Sequence, residues 1–304
     1  ENCEVSGINN TTLSQKIGVN RKCPSPPFTH SRSGRQRASI FRSFRYSERY
    51  LSHKNITTIY LLNKCILLGT TGRPGKIMGG SLTTIDKYPT IVALLFSSNL
   101  QTYSHIGGGT IITATAVLTA AHCLITDNAV RWRIRAGSTY ANSGGTVYTV
   151  ASLTAHPSYD KSTMDNDIAI MHTATAMAFS KLVQPAIIPN SDYVLADNQV
   201  VWAVGWGSIS YVRYFYDCSS SVFWTINQEE CNIRYNGNIT DNMLCSGWLD
   251  VGGRDQCKGD SGGPLYHNGT VVGVSSWGYG CGSSYYPGVN TRVSRYYSWI
   301  STKL

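Results

Sequence analysis

From Ile77 onward the chain breaks into short apolar runs, rich in β-branched and aromatic residues, with Gly, Asn, Ser and Pro between them. This pattern predicts strands at residues 91–96, 110–118, 131–136, 146–153, 168–171, 200–204, 270–277 and 288–293. Only the last segment, 293–304, has helical spacing, with Val293, Tyr296, Tyr297, Ile300 and Leu304 on one face. No internal repeat is present. Many short strands and a single terminal helix predict an all-β fold, a sandwich or a barrel.

Before residue 77 the pattern changes. Residues 1–76 hold 13 Lys and Arg against 3 Asp and Glu, whereas residues 77–304 hold 13 against 14. The formal net charge of +9 therefore belongs to the first segment. Residues 1–76 read as a basic, poorly ordered N-terminal arm, and residues 77–304 as the folded part. The chain carries no nucleic-acid-binding motif, so a nucleic-acid partner is not expected. Residues 56–68 are apolar but interrupted by Asn63 and Lys64, and no uncharged run reaches the length of a membrane span. They vaguely resemble a signal-peptide core, with Lys54 before them, but sit too deep in the chain for a normal signal. Nine cysteines point to an oxidising compartment, and their wide spacing, with no C-x-x-C, is unlike a zinc site.

The chemistry lies in three short segments. Asp255-Gln256-Cys257-Lys258-Gly259-Asp260-Ser261-Gly262-Gly263-Pro264 sets a serine among glycines, where the backbone can turn tightly and expose the hydroxyl. Thr119-Ala120-Ala121-His122-Cys123 supplies a candidate base, and Asp165-Asn166-Asp167-Ile168-Ala169-Ile170 a carboxylate beside an apolar strand. A serine hydroxyl is a weak nucleophile, and it needs an imidazole held by a carboxylate to take its proton. Gly259-Asp260-Ser261-Gly262-Gly263 also fits the G-x-S-x-G pattern of α/β-hydrolases. Their chain order is nucleophile, acid, histidine, whereas here it is His122, Asp167, Ser261.

These segments, in this order, resemble the trypsin-like serine proteases of the chymotrypsin fold. The resemblance runs from about Ile77 to the C-terminus. Residues 241–255 and 131–138 are similar in wording to digestive trypsins of moth and butterfly midguts. The resemblance implies two six-stranded antiparallel β-barrels with the active site in the cleft between them, and a C-terminal helix. It implies His122, Asp167 and Ser261 as catalytic triad, and the backbone N–H groups of Gly259 and Ser261 as oxyanion hole. Asp255 matches the floor of a pocket for a substrate Arg or Lys, Gly278 and Gly288 its walls, and Ser276, Trp277 and Gly278 the edge that binds substrate backbone. Arg73-Pro74-Gly75-Lys76-Ile77-Met78-Gly79-Gly80 resembles a zymogen junction. Cleavage after Lys76 would free the Ile77 amine to pair with Asp260.

The same resemblance implies the disulfides Cys231–Cys245 and Cys257–Cys281. It implies protein and peptide substrates with Arg or Lys, protein protease inhibitors as partners, and a secreted monomer of the gut lumen. No cofactor is expected. No metal is expected either: no Asp or Glu occurs from Ala136 to Ala155, where vertebrate relatives carry calcium ligands.

The chain also departs from the family. The usual partner of the cysteine after the catalytic histidine is replaced by Gly107, so Cys123 is expected to be a free thiol beside His122. Cys218 has no counterpart, and residues 211–220 do not resemble the family's loop and strand at that place. These departures support an alternative reading, a non-catalytic homologue acting as a binding protein. Asn238-Ile239-Thr240 and Asn268-Gly269-Thr270 are glycosylation sequons.

Overall fold

A computed structural model describes residues 79–124, 128–207 and 217–304. The arm, and with it Lys76 and Ile77, lies outside the described residues, as do residues 211–216 of the anomalous segment.

Six strands close a first antiparallel barrel: β2 (Ile91–Phe96), β3 (Ser104–Ile111), β4 (Ala116–Thr119), β5 (Trp132–Ala136), β6 (Thr146–Ala155) and β7 (Ala169–Thr173). Around the barrel the order is β2-β3-β4-β7-β6-β5, and β5 returns to β2 with Phe96 opposite Trp132. Its filling includes Leu94, Ile111, Val117, Trp132, Ile134 and Met171, all fully buried. A second barrel is made of β8 (Val200–Gly205), β9 (Ser219–Thr225), β10 (Met243–Gly247), β11 (Pro264–His267), β12 (Thr270–Trp277) and β13 (Gly288–Arg292). The pairing of β8 with β9 closes it, and the two-residue β1 (Ser81–Leu82) adds to β9 from outside. Val201, Phe223, Leu244 and Leu265 lie in its core. Closure of both sheets removes the open edges that a sandwich would leave.

The predicted strands 91–96 and 270–277 match β2 and β12 residue for residue. The predicted strand 110–118 is two strands, because the chain reverses between Ile111 and Ala116 and pairs Thr110 with Leu118. Strands β9, β10 and β11 and a helix, α1 (Gln228–Arg234), are absent from the pattern-based reading. Helix α1 is only seven residues long, too short to show a period. Its signature is at the cap: the Asn227 side chain accepts from the N–H groups of Glu229 and Glu230, and those two acids fill the first turn. The C-terminal element begins as a 3-10 turn, Val293–Tyr296, and continues as α2 (Tyr297–Ser301). Val293, Tyr296 and Ile300 are buried, whereas Tyr297 and Leu304 are exposed, so the apolar face is narrower than predicted.

Candidate active site

The first barrel delivers an imidazole and a carboxylate. Strand β4 buries Val117 and Leu118 and then ends in a 3-10 turn, Ala121–Cys123, that carries His122. Asp167 directly precedes Ile168 and β7, and is fully buried. Strands β4 and β7 pair, with Thr119 opposite Ala169, which brings the two side chains together. Asp167 Oδ1 accepts the His122 backbone N–H at 2.8 Å, and Oδ2 accepts from Nδ1 at 2.7 Å. A carboxylate can only accept, so Nδ1 carries a ring proton, and in the neutral ring Nε2 keeps the lone pair. Two further donors hold Asp167: the Ser276 hydroxyl reaches Oδ2 at 2.5 Å, and the Thr291 hydroxyl reaches its backbone carbonyl at 2.6 Å. Burial alone would lower the His122 pKa. Its hydrogen bonds to Asp167 and Cys123 and their charges outweigh burial and raise it to about 10.

The second barrel delivers the serine loop. Between β10 and β11 the chain is pinned by the Cys257–Cys281 disulfide, with Cα atoms 5.4 Å apart. Asp260 is buried, and its carboxylate accepts from the N–H groups of Gly207 at 2.8 Å and Cys257 at 2.9 Å. No cation touches it among the described residues. Burial raises its pKa to about 7 despite those two donors. The Ser261 carbonyl accepts from Gly108 N–H at 2.8 Å, which ties the loop to β3 of the first barrel. Gly259 has φ +96°, and a Cβ there would lie 3.1 Å from Gly207 Cα, so the position demands glycine. The N–H groups of Asp260, Gly262 and Gly263 are all bonded within the protein. Among the described residues, those of Gly259 and Ser261 have no acceptor, which leaves two donors available in the loop.

Beside Ser261 lies a cavity of about 220 Å³ lined by Asp255, Gln256, Ser276, Trp277, Gly278 and Gly288. Asp255 is 5% exposed, held by the N–H groups of Gln256 at 2.8 Å and Gly282 at 2.9 Å. Burial raises its pKa to about 7, the two N–H donors work against that, and the charge of Asp260 adds to it. A Cβ at Gly288 would meet Asp255 Oδ1 at 2.4 Å, so any side chain there would fill the space above the carboxylate. Behind the wall sits fully buried Tyr235, whose hydroxyl donates to the Pro287 carbonyl at 2.6 Å. Its ring packs on Trp277, Tyr279 and Tyr286. The supports from Tyr235, Thr291 and Gly282 escape a reading of sequence, because each joins residues far apart in the chain.

The family model for trypsin matches residues 77–300. This chain belongs to the trypsin family. It is a trypsin-like serine endopeptidase, and its curated relatives carry the corresponding names. It is 58% identical over 232 residues to "Trypsin, alkaline C" of Manduca sexta, covering 75% of this chain and 91% of that protein. It is 55% identical over 234 residues to "Trypsin CFT-1" of Choristoneura fumiferana, covering 74% of this chain and 90% of that protein. Achelase-1 of Lonomia achelous is 49% identical over 234 residues, covering 74% of this chain and 99% of that protein. The likeness to moth trypsins seen in the wording of the sequence is thus general across the protease part.

Among the described residues two disulfides are formed, Cys231–Cys245 and Cys257–Cys281. Cys123 is a buried free thiol, and its sulfur lies 3.7 Å from His122 Nε2. Cys218 is also buried. Gly107, where a cysteine would bridge Cys123, does not have positive φ. A Cβ at Gly107 would sit 3.5 Å from Cys123 Sγ but 2.7 Å from the Ser261 carbonyl oxygen. Gly107→Cys should therefore form the bridge yet stabilise by less than the ~2–5 kcal/mol usual for a native disulfide. The backbone at the serine must shift to admit it. Thiol counting with thermal unfolding checks this, and a full-sized gain would show that the serine loop yields without cost. Asn238 and Asn268 are both exposed, as glycosylation requires.

Proposed function

We propose that this protease cleaves peptide bonds after Arg or Lys by a His122–Asp167–Ser261 acyl-enzyme mechanism. The observation that carries the reading is a single cavity holding both Ser261 and the buried carboxylate of Asp255. A substrate cation entering it would pair with Asp255 and set its scissile carbonyl beside Ser261 Oγ. In the mechanism of this family, Ser261 attacks that carbonyl and His122 Nε2 takes its proton. The imidazolium then protonates the leaving amine, and water repeats the sequence on the acyl-enzyme. Asp167 orients the ring and stabilises its charge. The free N–H groups of Gly259 and Ser261 stabilise the oxyanion. Each such donor contributes on the order of 3 kcal/mol in related chemistry. An exposed substrate strand adds to the edge at Ser276, Trp277 and Gly278.

The test is chemical. A sulfonyl fluoride should label Ser261 alone and abolish activity. A peptide library should be cut after Arg and Lys. Labelling elsewhere, or cleavage after apolar residues, contradicts the proposal and favours the binding-protein alternative or another specificity.

The base must be neutral to work. Because Asp167 and Cys123 raise the His122 pKa against the effect of burial, the acid limb of kcat/KM should lie above the ordinary histidine value of 6.5. Activity should grow as pH rises through that limb. A pH profile with its limb at or below that value contradicts the balance.

Residues 1–76 act in this reading as a pro-segment. Cleavage after Lys76 frees the Ile77 ammonium, which pairs with Asp260. Without that partner the buried Asp260 is either protonated or an uncompensated charge, and the loop of Gly259 and Ser261 is held less firmly. A Lys76→Gln chain should accordingly stay at least a hundredfold less active than the processed enzyme after treatment with trypsin. Arg73 is a poor alternative cut site, because Pro74 follows it. Ready activation of the variant contradicts the assignment. Secretion as a monomeric digestive enzyme, open to protein protease inhibitors, completes the proposal. The disulfides and the moth trypsin relatives support it.

A further inference from the structure

The loss of one disulfide leaves Cys123 Sγ 3.7 Å from His122 Nε2, two metal-binding atoms side by side. We infer that Cys123 and His122 form an inhibitory site for a borderline-soft divalent cation of the zinc type. The geometry fits. Zn–S and Zn–N bonds of about 2.3 Å and 2.0–2.1 Å at a tetrahedral angle place the two donor atoms roughly 3.6 Å apart. The ring is already oriented as a metal-bound histidine would be. Its other nitrogen is held by the Asp167 carboxylate at 2.7 Å, the outer-sphere partner that fixes a ligating imidazole. The turn itself is fixed, since the His122 backbone N–H donates to the same carboxylate. Thiolate and imidazole together suit zinc far better than magnesium or calcium. The His122 side chain is 23% exposed, so an ion can approach from the cleft although the sulfur is buried.

Among the described residues no three His, Cys, Asp or Glu side chains cluster as a metal site. The site therefore has two protein donors, and water completes the coordination. Binding is weaker than at a four-ligand structural zinc and reversible by a chelator. A metal on Nε2 occupies the lone pair that takes the serine proton, so occupancy and activity exclude each other. In a relative with the disulfide, the sulfur is bridged and the second donor is gone. The inhibitory consequence rests on the proposed role of His122, whereas the binding does not.

The experiment has two arms. Zinc chloride is titrated into the processed enzyme with an arginyl ester as substrate. Cobalt(II) is titrated into the Ser261→Ala chain, where a sulfur-to-cobalt charge-transfer band reports thiolate ligation without any need for activity. Expected are inhibition reversed by EDTA, an inhibition constant raised at least tenfold by Cys123→Ala, and a cobalt band that Cys123→Ala removes. The arm cysteines are the same in the Ser261→Ala chain with and without Cys123→Ala, so the difference between those two chains isolates Cys123. Cys123→Ser, which keeps the size of the side chain, serves the same comparison if the alanine variant does not fold. An inactive enzyme that still gives the Cys123-dependent band leaves the metal site standing and counts against the proposed function instead. An active enzyme whose zinc inhibition is unchanged by Cys123→Ala, or that shows neither inhibition nor band, overturns the site.

Discussion

Ser261→Ala should lower kcat on an arginyl ester by roughly a millionfold, the scale of loss found when a triad protease on another fold is deprived of its nucleophile. In the proposed mechanism the Ser261 hydroxyl is the only group of the three that forms a bond to the substrate. The imidazole then has no proton to take, and water must attack unaided. Little else should change. Ser261 is half-buried, its tie to Gly108 runs through the backbone carbonyl, and alanine keeps that tie. The two free N–H donors and the Asp255 pocket also remain, so a residual rate above that in water is expected from oxyanion stabilisation and binding. Thermal unfolding of the variant should match the parent, and a basic active-site ligand should still bind. Retention of a tenth of parent activity, after contaminating protease is excluded, would show that another residue is the nucleophile.

Asp255→Ser should cost about 3–5 kcal/mol in kcat/KM toward Arg and Lys substrates, the usual penalty for a buried charge deprived of its partner. That corresponds to a loss of roughly 10²–10⁴-fold. A guanidinium entering the cavity leaves water and meets, in the parent, a carboxylate already gripped by Gln256 and Gly282 N–H groups. In the variant it meets a hydroxyl and those same N–H groups, which offer it nothing. Substrates with apolar residues at that position should lose little, so the ratio of the two rates is the decisive reading. The parent has a pH signature as well. Burial raises the Asp255 pKa in the empty pocket to about 7, so below that pH the carboxylate is increasingly neutral. Affinity for a basic, non-reacting ligand should therefore rise with pH up to that range and then level off, and this dependence should vanish in Asp255→Ser. Parent-like kcat/KM of the variant on arginyl esters would remove Asp255 from the pocket.

The pattern of residues was enough for an all-β protein ending in a helix, because β-branched runs between turn residues can bury one face only by pairing. Strands β2 and β12 are legible for that reason: β2 is an unbroken apolar run, and β12 opens on β-branched Thr270, Val271 and Val272 and closes on Trp277. Strand β9 escaped it. It alternates buried with half-buried positions, but Ser219 and Ser221 occupy two of the buried ones, where the pattern expects apolar residues. Strand β11 is four residues, opened by a proline, too short to stand out. The triad candidates were legible as types and order, since nucleophile, base and acid each sit in a distinctive local segment.

How those groups are held belongs to tertiary structure. Ser276 and Thr291 reach Asp167 from the second barrel, across more than a hundred residues. Gly207 and Gly282 supply the N–H groups that grip Asp260 and Asp255. The sequence alone could show that Cys123 lacks its partner. Only packing decided where the sulfur goes: Gly107 has no side chain to claim it, Ser261 crowds that side with its carbonyl, and the thiol lies against His122 Nε2. Local chemistry is written in neighbouring residues, whereas the second donor on a carboxylate or the second atom beside a lone pair depends on which distant strands the two closed barrels bring together.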